Sequence, residues 1–407
     1  MSSKKHIVLV NQYFDPSDAA TAVLLRELVE DLSSHYEITV LCESALLESS
    51  RPSSDTSSSY KVVRRSLPRW IPEERAASSR LLRWVSSFLF IARALVSLVF
   101  SKRPDLVFLA SEPPFIDMLA GFLCVVRRQR FVIVVQDLYP EFAQGVGLQP
   151  VALFAWPLKK LHSFVARRAH KVIAISQDHA RVLTKRGIGT SQVIPNWAPT
   201  SVVSGDPLPM PSQGDGRIVV HYAGNLGLAC DLDSLRVALA ALEAQGQLSH
   251  FQILLRGDGI KRHQAEELAR QYSQVTYQQR VPESGTAHAM AECHAHLVLM
   301  PAGLEGCVYP SKTNSIMAAG RPMIASVPTR SALTSFIQTQ RVGYVSPAED
   351  PSQLAPCMMK CFRDLQENPS ALSEMGARGW QFVNHEWNRV KATNSYRAIL
   401  EDALNDR

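Results

Sequence analysis

The sequence predicts an α/β protein built of two doubly wound parallel-sheet domains, on three observations. The chain has 407 residues, about two domains' worth at roughly 100–200 residues per domain. Short β-branched apolar runs alternate with amphipathic helical stretches along most of its length, the pattern of parallel strands joined by helices. Near the middle, TSVVSGDPLPMPSQGDG (200–216) is dense in Pro, Gly and Ser and nearly without apolar periodicity, so it reads as a linker, after which the alternation restarts. The expected division is a first domain over 1–200, a linker over 201–216 and a second domain over 217–385. A last helical segment, 386–407, is expected to return to the first domain.

In the first half, HIVLVN (6–11) is a strand, QYFDPSDAA a turn, TAVLLRELVEDLSSH a helix and EITVLCE a second strand, which closes a βαβ unit. Ser-rich LESSRPSSDTSSSYK (48–61) reads as a loop and KVVRRS as a third strand. DLVFLAS (105–111), a helix through Phe115–Val126, and FVIVVQD (131–137) follow. A long helix to about His170, the strand KVIAIS (171–176), the helix QDHARVLTKRG and the strand SQVIPN (191–196) complete the half. In the second half the strands are IVVHYAG, QILLRGDG, VTYQQR, HLVLMPA, PMIASV and VGYVS, with helices between and after them.

Composition excludes several classes. At 46% hydrophobic, 20% charged and a mean hydropathy of −0.04, the chain is neither disordered, collagenous nor polytopic in a membrane. Its seven cysteines form no C-x-x-C pair, which fits a reducing compartment. The apolar run after Met1-Ser-Ser-Lys-Lys-His is too short for a signal-peptide core. A cytoplasmic protein is expected.

The net charge of +6 is concentrated. Residues 61–103 carry ten basic side chains against Glu73 and Glu74, so that segment holds +8 and the remainder −2. Within it, WVSSFLFIARALVSLVF (84–100) is marginal in length for a membrane span and has Arg93 near its middle. A basic, aromatic-bearing amphipathic stretch instead suits the surface of an anionic membrane. Nucleic acid is not expected as a partner, since no recognition motif accompanies the charge.

The chain lacks G-x-G-x-x-G after its first strand, a P-loop and a nucleophile elbow. Cys293, His294, His296 and Cys307 match no zinc spacing, so no metal site is expected. Three segments suit a nucleotide diphosphate. HYAGNLGLACDLDSL places Gly224, Asn225 and Gly227 in a tight turn, expected to lie at a helix N-terminus where backbone N–H groups can hold an anion. Arg256 and Lys261 flank the turn Gly257-Asp258-Gly259. In MPAGLEGCVYPSKTNSIMAAGRPMIAS (300–326), Glu305 sits in a Gly-flanked loop before Pro310, Ser311, Lys312 and Thr313, where a helix begins.

This order resembles the second domain of GT-B glycosyltransferases, in the large retaining family numbered four. The likeness covers nearly the whole chain, through VNQYFDPSDAATAVLLREL, VVQDLYPE, VIPNWAP, YAGNLG with GDG, and PSKTNSIMAAGRPMIA. Within the family it is similar to bacterial surface-polysaccharide transferases of the WbuB/WcaI type, which act on lipid-linked sugars. The sequence departs from the family pattern at Thr313, where a second glutamate is usual, at Asn225 in place of a basic residue, and at Ala19-Ala20 in place of a glycine pair.

The resemblance implies two Rossmann-like domains facing a cleft, and transfer of a sugar from a nucleotide-sugar to a lipid-linked saccharide with retention of configuration. Glu305 and Asp137 are the expected catalytic residues, Asp137 being equally placed to cap the turn after it. Gly224, Asn225, Gly227, Arg256, Lys261, Pro310, Ser311, Lys312 and Thr313 are expected at the donor, and Asp15, Ser17, Tyr139 and Glu141 at the acceptor. No cofactor or metal is expected, and residues 61–103 would hold the protein on the inner face of the plasma membrane. A nucleotide-sugar 2-epimerase and a non-catalytic binding subunit of a membrane assembly are the alternatives.

Overall fold

The computed structural model describes residues 4–15, 17, 19–43, 59–65, 80–148, 151, 153–203, 205–212 and 216–406. Much of the Ser-rich loop, the middle of the basic segment (including Arg69, Trp70, Glu73, Glu74 and Arg75) and parts of the linker lie outside the described residues. The chain forms two compact units: Met1–Asn196 with Gly306–Tyr309 and Arg389–Arg407, and Trp197–Glu305 with Pro310–Asn388.

In the first unit the elements run β1 (His6–Val10), α1 (Ala20–Leu32), β2 (Glu37–Glu43), β3 (Lys61–Arg65), α2 (Arg80–Phe100), β4 (Leu106–Ala110), α3 (Ile116–Val126) and β5 (Phe131–Val135). They continue with α4 (Glu141–Gly145), α5 (Ala155–Ala166), β6 (Lys171–Ala174), α6 (Gln177–Lys185) and β7 (Gln192–Val193). The sheet order is β3-β2-β1-β4-β5-β6-β7, and every pairing is parallel. Strands β4 and β5 are buried along their whole length, which is why LVFLA and FVIVV are continuous apolar runs rather than alternating ones. The expected long helix to His170 divides into α4 and α5. Strand β6 stops at Ala174, because Ser176 turns out of the strand to cap α6, its side chain accepting from His179 N.

The second unit contains β8 (Ile218–Ala223), α7 (Leu232–Ala244), β9 (Phe251–Arg256), α8 (Arg262–Gln271), β10 (Val275–Gln278), α9 (Thr286–Ala291) and β11 (Ala295–Leu299). After these come α10 (Lys312–Ala318), β12 (Met323–Val327), α11 (Ala332–Gln340), β13 (Gly343–Pro347), α12 (Leu354–Glu367) and α13 (Pro369–His385). Its sheet, also wholly parallel, runs β10-β9-β8-β11-β12-β13. In each unit the strand order reverses once, between β1 and β4 and between β8 and β11. In such sheets ligands bind beyond the carboxyl ends of the strands at that reversal.

Helix α14 (Arg389–Asn405) packs in the first unit. Arg389 grips Asp31 through two bonds of 2.8 and 2.6 Å and donates to Glu27 O at 3.0 Å, while Tyr396 lies against Phe108. Trp387 stacks on Phe336 and meets Phe382 edge-on within the second unit. Arg321, only 1% exposed, fixes the end of the linker to the second unit. Its guanidinium donates to the carbonyls of Leu208, Pro209, Ala291 and Cys293 at 2.7–2.8 Å, bonds that offset the cost of burying its charge.

No helix among the described residues is long and apolar enough to cross a membrane. Helix α2 nevertheless shows solvent Phe88, Val96 and Phe100, exposed by 54%, 56% and 84%.

The position of α10 depends on a close approach by α13. A Cβ on Gly376 would lie 1.9 Å from the Gly320 carbonyl oxygen, whereas one on Gly379 would meet only the Met317 side chain at 3.1 Å. Gly376→Ala should therefore destabilise the second unit by about 1–3 kcal/mol, as overpacking does. Gly379→Ala should be near neutral, helix propensity offsetting a small shift of a flexible side chain. Denaturant unfolding of the two variants measures the difference.

Candidate active site

The reversal between β8 and β11 is built by glycines. Gly224 follows β8 directly, and the β8–β9 ladder continues past the strands: Gly224 N donates to Arg256 O at 3.0 Å and Leu226 N to Asp258 O at 2.8 Å. Lys261 N then donates to Leu226 O at 2.8 Å. A Cβ on Gly257 would lie 1.9 Å from Gly224 O, and one on Gly259 2.6 Å from Leu226 O, so only glycine lets the two turns touch. Tyr222 Oη donates to Asn225 O at 2.8 Å and Tyr277 Oη to Gly257 O at 3.0 Å, fixing both turns from beneath. Gly224 and Asn225 are exposed and Gly227 is half-buried.

Lys312 joins this turn from the first residue of α10. Its Nζ lies 3.4 Å from the centroid of the Tyr222 ring, and a Cβ on Gly224 would meet its Cε and Nζ at 3.4 Å. Desolvation lowers its pKa to about 8, so near neutrality it remains a cation beside the exposed backbone of Gly224.

Other expected donor residues are occupied differently. Arg256, 8% exposed, binds Gln278 Oε1 through Nε (3.1 Å) and NH2 (2.5 Å), and Glu292 Oε2 at 3.1 Å. Lys261 Nζ donates to Cys230 O at 2.5 Å and so braces the end of the Gly224–Cys230 turn. Thr313 is buried and its hydroxyl donates to Pro310 O at 2.9 Å. Pro310 and Ser311 are half-buried, and Glu305 is exposed between Gly303 and Gly306, which both have positive φ, with Leu304 buried beside it. The helix expected to begin at Gly224–Gly227 starts only at Leu232. Asp231 is its cap, its carboxylate accepting from Ser234 N at 3.1 Å. The reason is tertiary: Gly224 and Leu226 are held in the extended ladder by bonds to Arg256 O and Asp258 O, so the chain cannot coil before it has left that ladder.

A metal has one candidate home among the described residues. His221, Cys293 and His296 are buried, with ligand atoms within 4.8 Å of one another. Desolvation and neighbouring cations depress the two imidazoles, His221 to about 2 under His296, Arg256 and Lys312, and His296 to about 4 under Arg321 and Lys312. Both imidazoles are therefore neutral near pH 7, and His296 Nε2 donates to Met290 O at 2.8 Å.

In the first unit, Asp137 and Tyr139 follow β5. Ser111 Oγ accepts from the N–H groups of Gln136 and Asp137 at 2.8 and 3.1 Å, which sets the turn. Asp137 is exposed, yet local desolvation lifts its carboxyl to about 6. Glu112, which the sequence reading passed over, follows β4. Desolvation and then the charge of Asp137 push it up to about 7, against hydrogen bonds from Thr21 and Asn11. Its signal was a carboxylate directly after a buried strand, in Ser-Glu-Pro-Pro. Asp15 pairs with Arg26 at 3.1 Å, and Ser17 Oγ accepts from Ala19 N at 3.3 Å without capping α1. Glu141 is paired with Arg186 and, at 3.3 Å, with Lys159.

Two sequence signatures divide the chain much as its units do. Glycosyltransferase Family 4 matches residues 21–202, and Glycosyl transferases group 1 matches residues 217–364. The chain is a GT-B glycosyltransferase. It is 24% identical over 298 residues to the probable glycosyltransferase WbjE of Pseudomonas aeruginosa, covering 70% of this chain and 72% of that one. Its fold matches that of sucrose-phosphate synthase from Thermosynechococcus elongatus with a TM-score of 0.73 at 16% identity, over 98% of both chains. It also matches Anabaena HepE, solved with UDP-glucose, with a TM-score of 0.66 at 13% identity, over 98% of this chain and 99% of that one.

The depressed Lys312 of this glycosyltransferase yields a signed expectation. Below pH 8 the fold holds a charge it disfavours, and the strain vanishes as pH rises towards 10.5, where the unfolded lysine also loses its proton. Lys312→Met should therefore raise stability by about 1–3 kcal/mol at pH 7. The advantage over wild type should shrink steadily between pH 8 and 10.5. Paired denaturation curves across that range test the sign.

Proposed function

We propose that this glycosyltransferase moves a sugar from a nucleotide-sugar to a lipid-linked saccharide in surface-polysaccharide assembly, with retention of configuration and without a metal, at the inner face of the plasma membrane. The observation that carries the donor half is the Gly224–Gly257 double turn with Lys312 beside it. An exposed backbone stripped of Cβ atoms and a half-buried ammonium suit a diphosphate. The related fold of HepE was solved with UDP-glucose, which supports the same donor class.

Chemically, a diphosphate departs while positive charge develops on the anomeric carbon. Lys312 would meet the departing charge from a fixed position, an electrostatic contribution that needs no rearrangement at the moment of reaction. Arg256 and Lys261 would act one step back, holding the turn through Gln278, Glu292 and Cys230 O. Glu305, on a loop bent by its two glycines, would orient the donor sugar and favour the developing cation.

The membrane half rests on apolar and basic groups that alternate on the first unit. Phe122 and Val126 on α3 are 45% and 65% exposed, and Leu153, Phe154 and Trp156 are 80%, 64% and 71% exposed. Lys160 lies over the Trp156 ring, and Arg168 lies 3.7 Å over Phe164, which itself contacts Phe122. Rings with cations at their edges match the boundary between acyl chains and anionic headgroups.

Two outcomes are expected. Glu305→Gln should lower turnover by about 10²–10³ while the affinity for UDP, read by calorimetry, stays near that of wild type. Full turnover under saturating donor would remove Glu305 from the mechanism. Co-sedimentation with phosphatidylglycerol vesicles should be strong at low salt, fall as salt screens the charges, and weaken in the double variant Phe154→Ser, Trp156→Ser. A protein that stays in the supernatant at low salt would remove the membrane from this reading.

A further inference from the structure

A second chemical centre lies in the core of the second unit, and the transfer proposed above does not use it. His221 on β8 and His296 on β11 are direct partners in the parallel ladder. Their side chains leave the sheet on the same face, with ring centroids 4.9 Å apart. Cys293, three residues before His296, brings its thiol to the same place. One ligand atom from each of the three lies within 4.8 Å of the others. Some point is then no more than about 2.8 Å from all three atoms, so metal bonds of about 2.0–2.3 Å need only a small inward turn of the side chains.

The hydrogen bonding of the cluster is incomplete in the way that a metal would complete it. His296 Nε2 donates to Met290 O at 2.8 Å, which leaves the lone pair of the neutral ring on Nδ1. That Nδ1 is buried without a hydrogen-bond partner among the described residues, as are both ring nitrogens of His221. Buried nitrogens without partners are costly, whereas a ligating histidine commonly gives its other N–H to a backbone carbonyl. The Ala289 carbonyl near the His221 ring suits that purpose there.

Charge and ligand number select the ion. Arg256, Lys312 and Arg321 all bear on the cluster with positive charge, and Glu292 near Cys293 is already paired with Arg256 at 3.1 Å. Two neutral imidazoles, one thiolate and a monovalent ion sum to zero. A divalent ion would leave a net positive charge in the core among those cations, which is costly. Thiolate and imidazole also suit copper(I), whereas structural zinc takes four ligands and the cluster offers three.

We propose that His221, Cys293 and His296 bind one copper(I) ion as a structural centre of the second unit. The Cys293 thiol gives its proton to solvent as the Cu–S bond forms, and the metal keeps its oxidation state. All three residues are sealed in the core, so the ion enters while the chain folds around it, as structural metals do.

The test produces the full chain in cells grown with added copper or added zinc, purifies it without oxygen and measures metal per chain by mass spectrometry. A second arm unfolds the full chain in guanidinium chloride and refolds it with the copper(I) complex of bicinchoninate. About one copper per chain is expected in at least one arm, with X-ray absorption showing one sulfur and two nitrogen neighbours. Cys293→Ala and His221→Leu should each lower the copper content by about tenfold or more. Cys357→Ala, at a half-buried thiol outside the cluster, should keep it. Without metal, His221→Leu should melt no lower than wild type, because it removes two nitrogens that have no partner. Circular dichroism identifies a variant that fails to fold, and the absorption spectrum of the wild type then still names the ligands. Under about a tenth of a copper per chain in both arms, zinc held in its place, copper on two sulfurs, or copper retained by folded Cys293→Ala or His221→Leu overturns the proposal.

Discussion

In the second unit the backbone of Gly257 lies so close to the carbonyl of Gly224 that no side chain fits between them. This contact keeps the β8–β9 ladder in register past the ends of its strands, through the bonds from Gly224 N to Arg256 O and from Leu226 N to Asp258 O. With the ladder extended, the Gly224 turn has one position, and Tyr222 beneath it has one ring face on which Lys312 can settle. A Cβ at residue 257 would part the turns and leave the lysine with neither its ring nor its exposed backbone neighbour. The rest of the proposed donor half hangs on that approach. Arg256 and Lys261 hold the turns in place, and Lys312 keeps its ammonium beside the exposed Gly224 backbone.

Much of the fold was legible because parallel strands buried on both faces leave continuous apolar runs. The glycine turns were legible as well, since Gly224, Gly257 and Gly259 stand at strand ends. The partners of charged side chains were not. Nothing in the local sequence says that Arg256 will meet Glu292, 36 residues away, or that Lys261 will turn back on Cys230 O. Spacing along the chain places a residue at a strand end, and tertiary packing then decides which atom it reaches. Glu112 was missed for a related reason. Its importance lies in Asp137 on the neighbouring strand and Asn11 on the other neighbour, and strand order is only weakly encoded in sequence.

The two sheets reverse their order at equivalent places yet carry opposite chemistry there. At β8 and β11 the groups are glycine backbone and a lysine; at β1 and β4 they are carboxyl and amide oxygens beside aromatic rings. An anion is favoured at the first and disfavoured at the second, whatever its identity. The contrast follows from single residues after the strands, Gly224 in one unit and Asn11 and Glu112 in the other, while the strands themselves are interchangeable apolar runs.

Helix α2 explains why charge alone misjudges the basic segment. Its inner side is fixed to the sheet partly by polar bonds: Ser86 Oγ donates to Glu43 Oε1 at 2.8 Å, Gln12 Nε2 donates to the same carboxylate at 2.7 Å, and Ser87 Oγ donates to Gln12 Oε1 at 3.0 Å. Phe90, Ile91, Ala94 and Leu98 fill the remaining inward positions. With these committed to the core, Phe88, Val96 and Phe100 have only the outer side left. A helix facing water would place charged residues there, and this one places apolar ones. The apolar count that made residues 84–100 look marginal for a span is therefore divided between two faces, one packed on the sheet and one exposed. Such a helix can lie against a lipid surface without leaving its unit, because its inward half is already satisfied by protein.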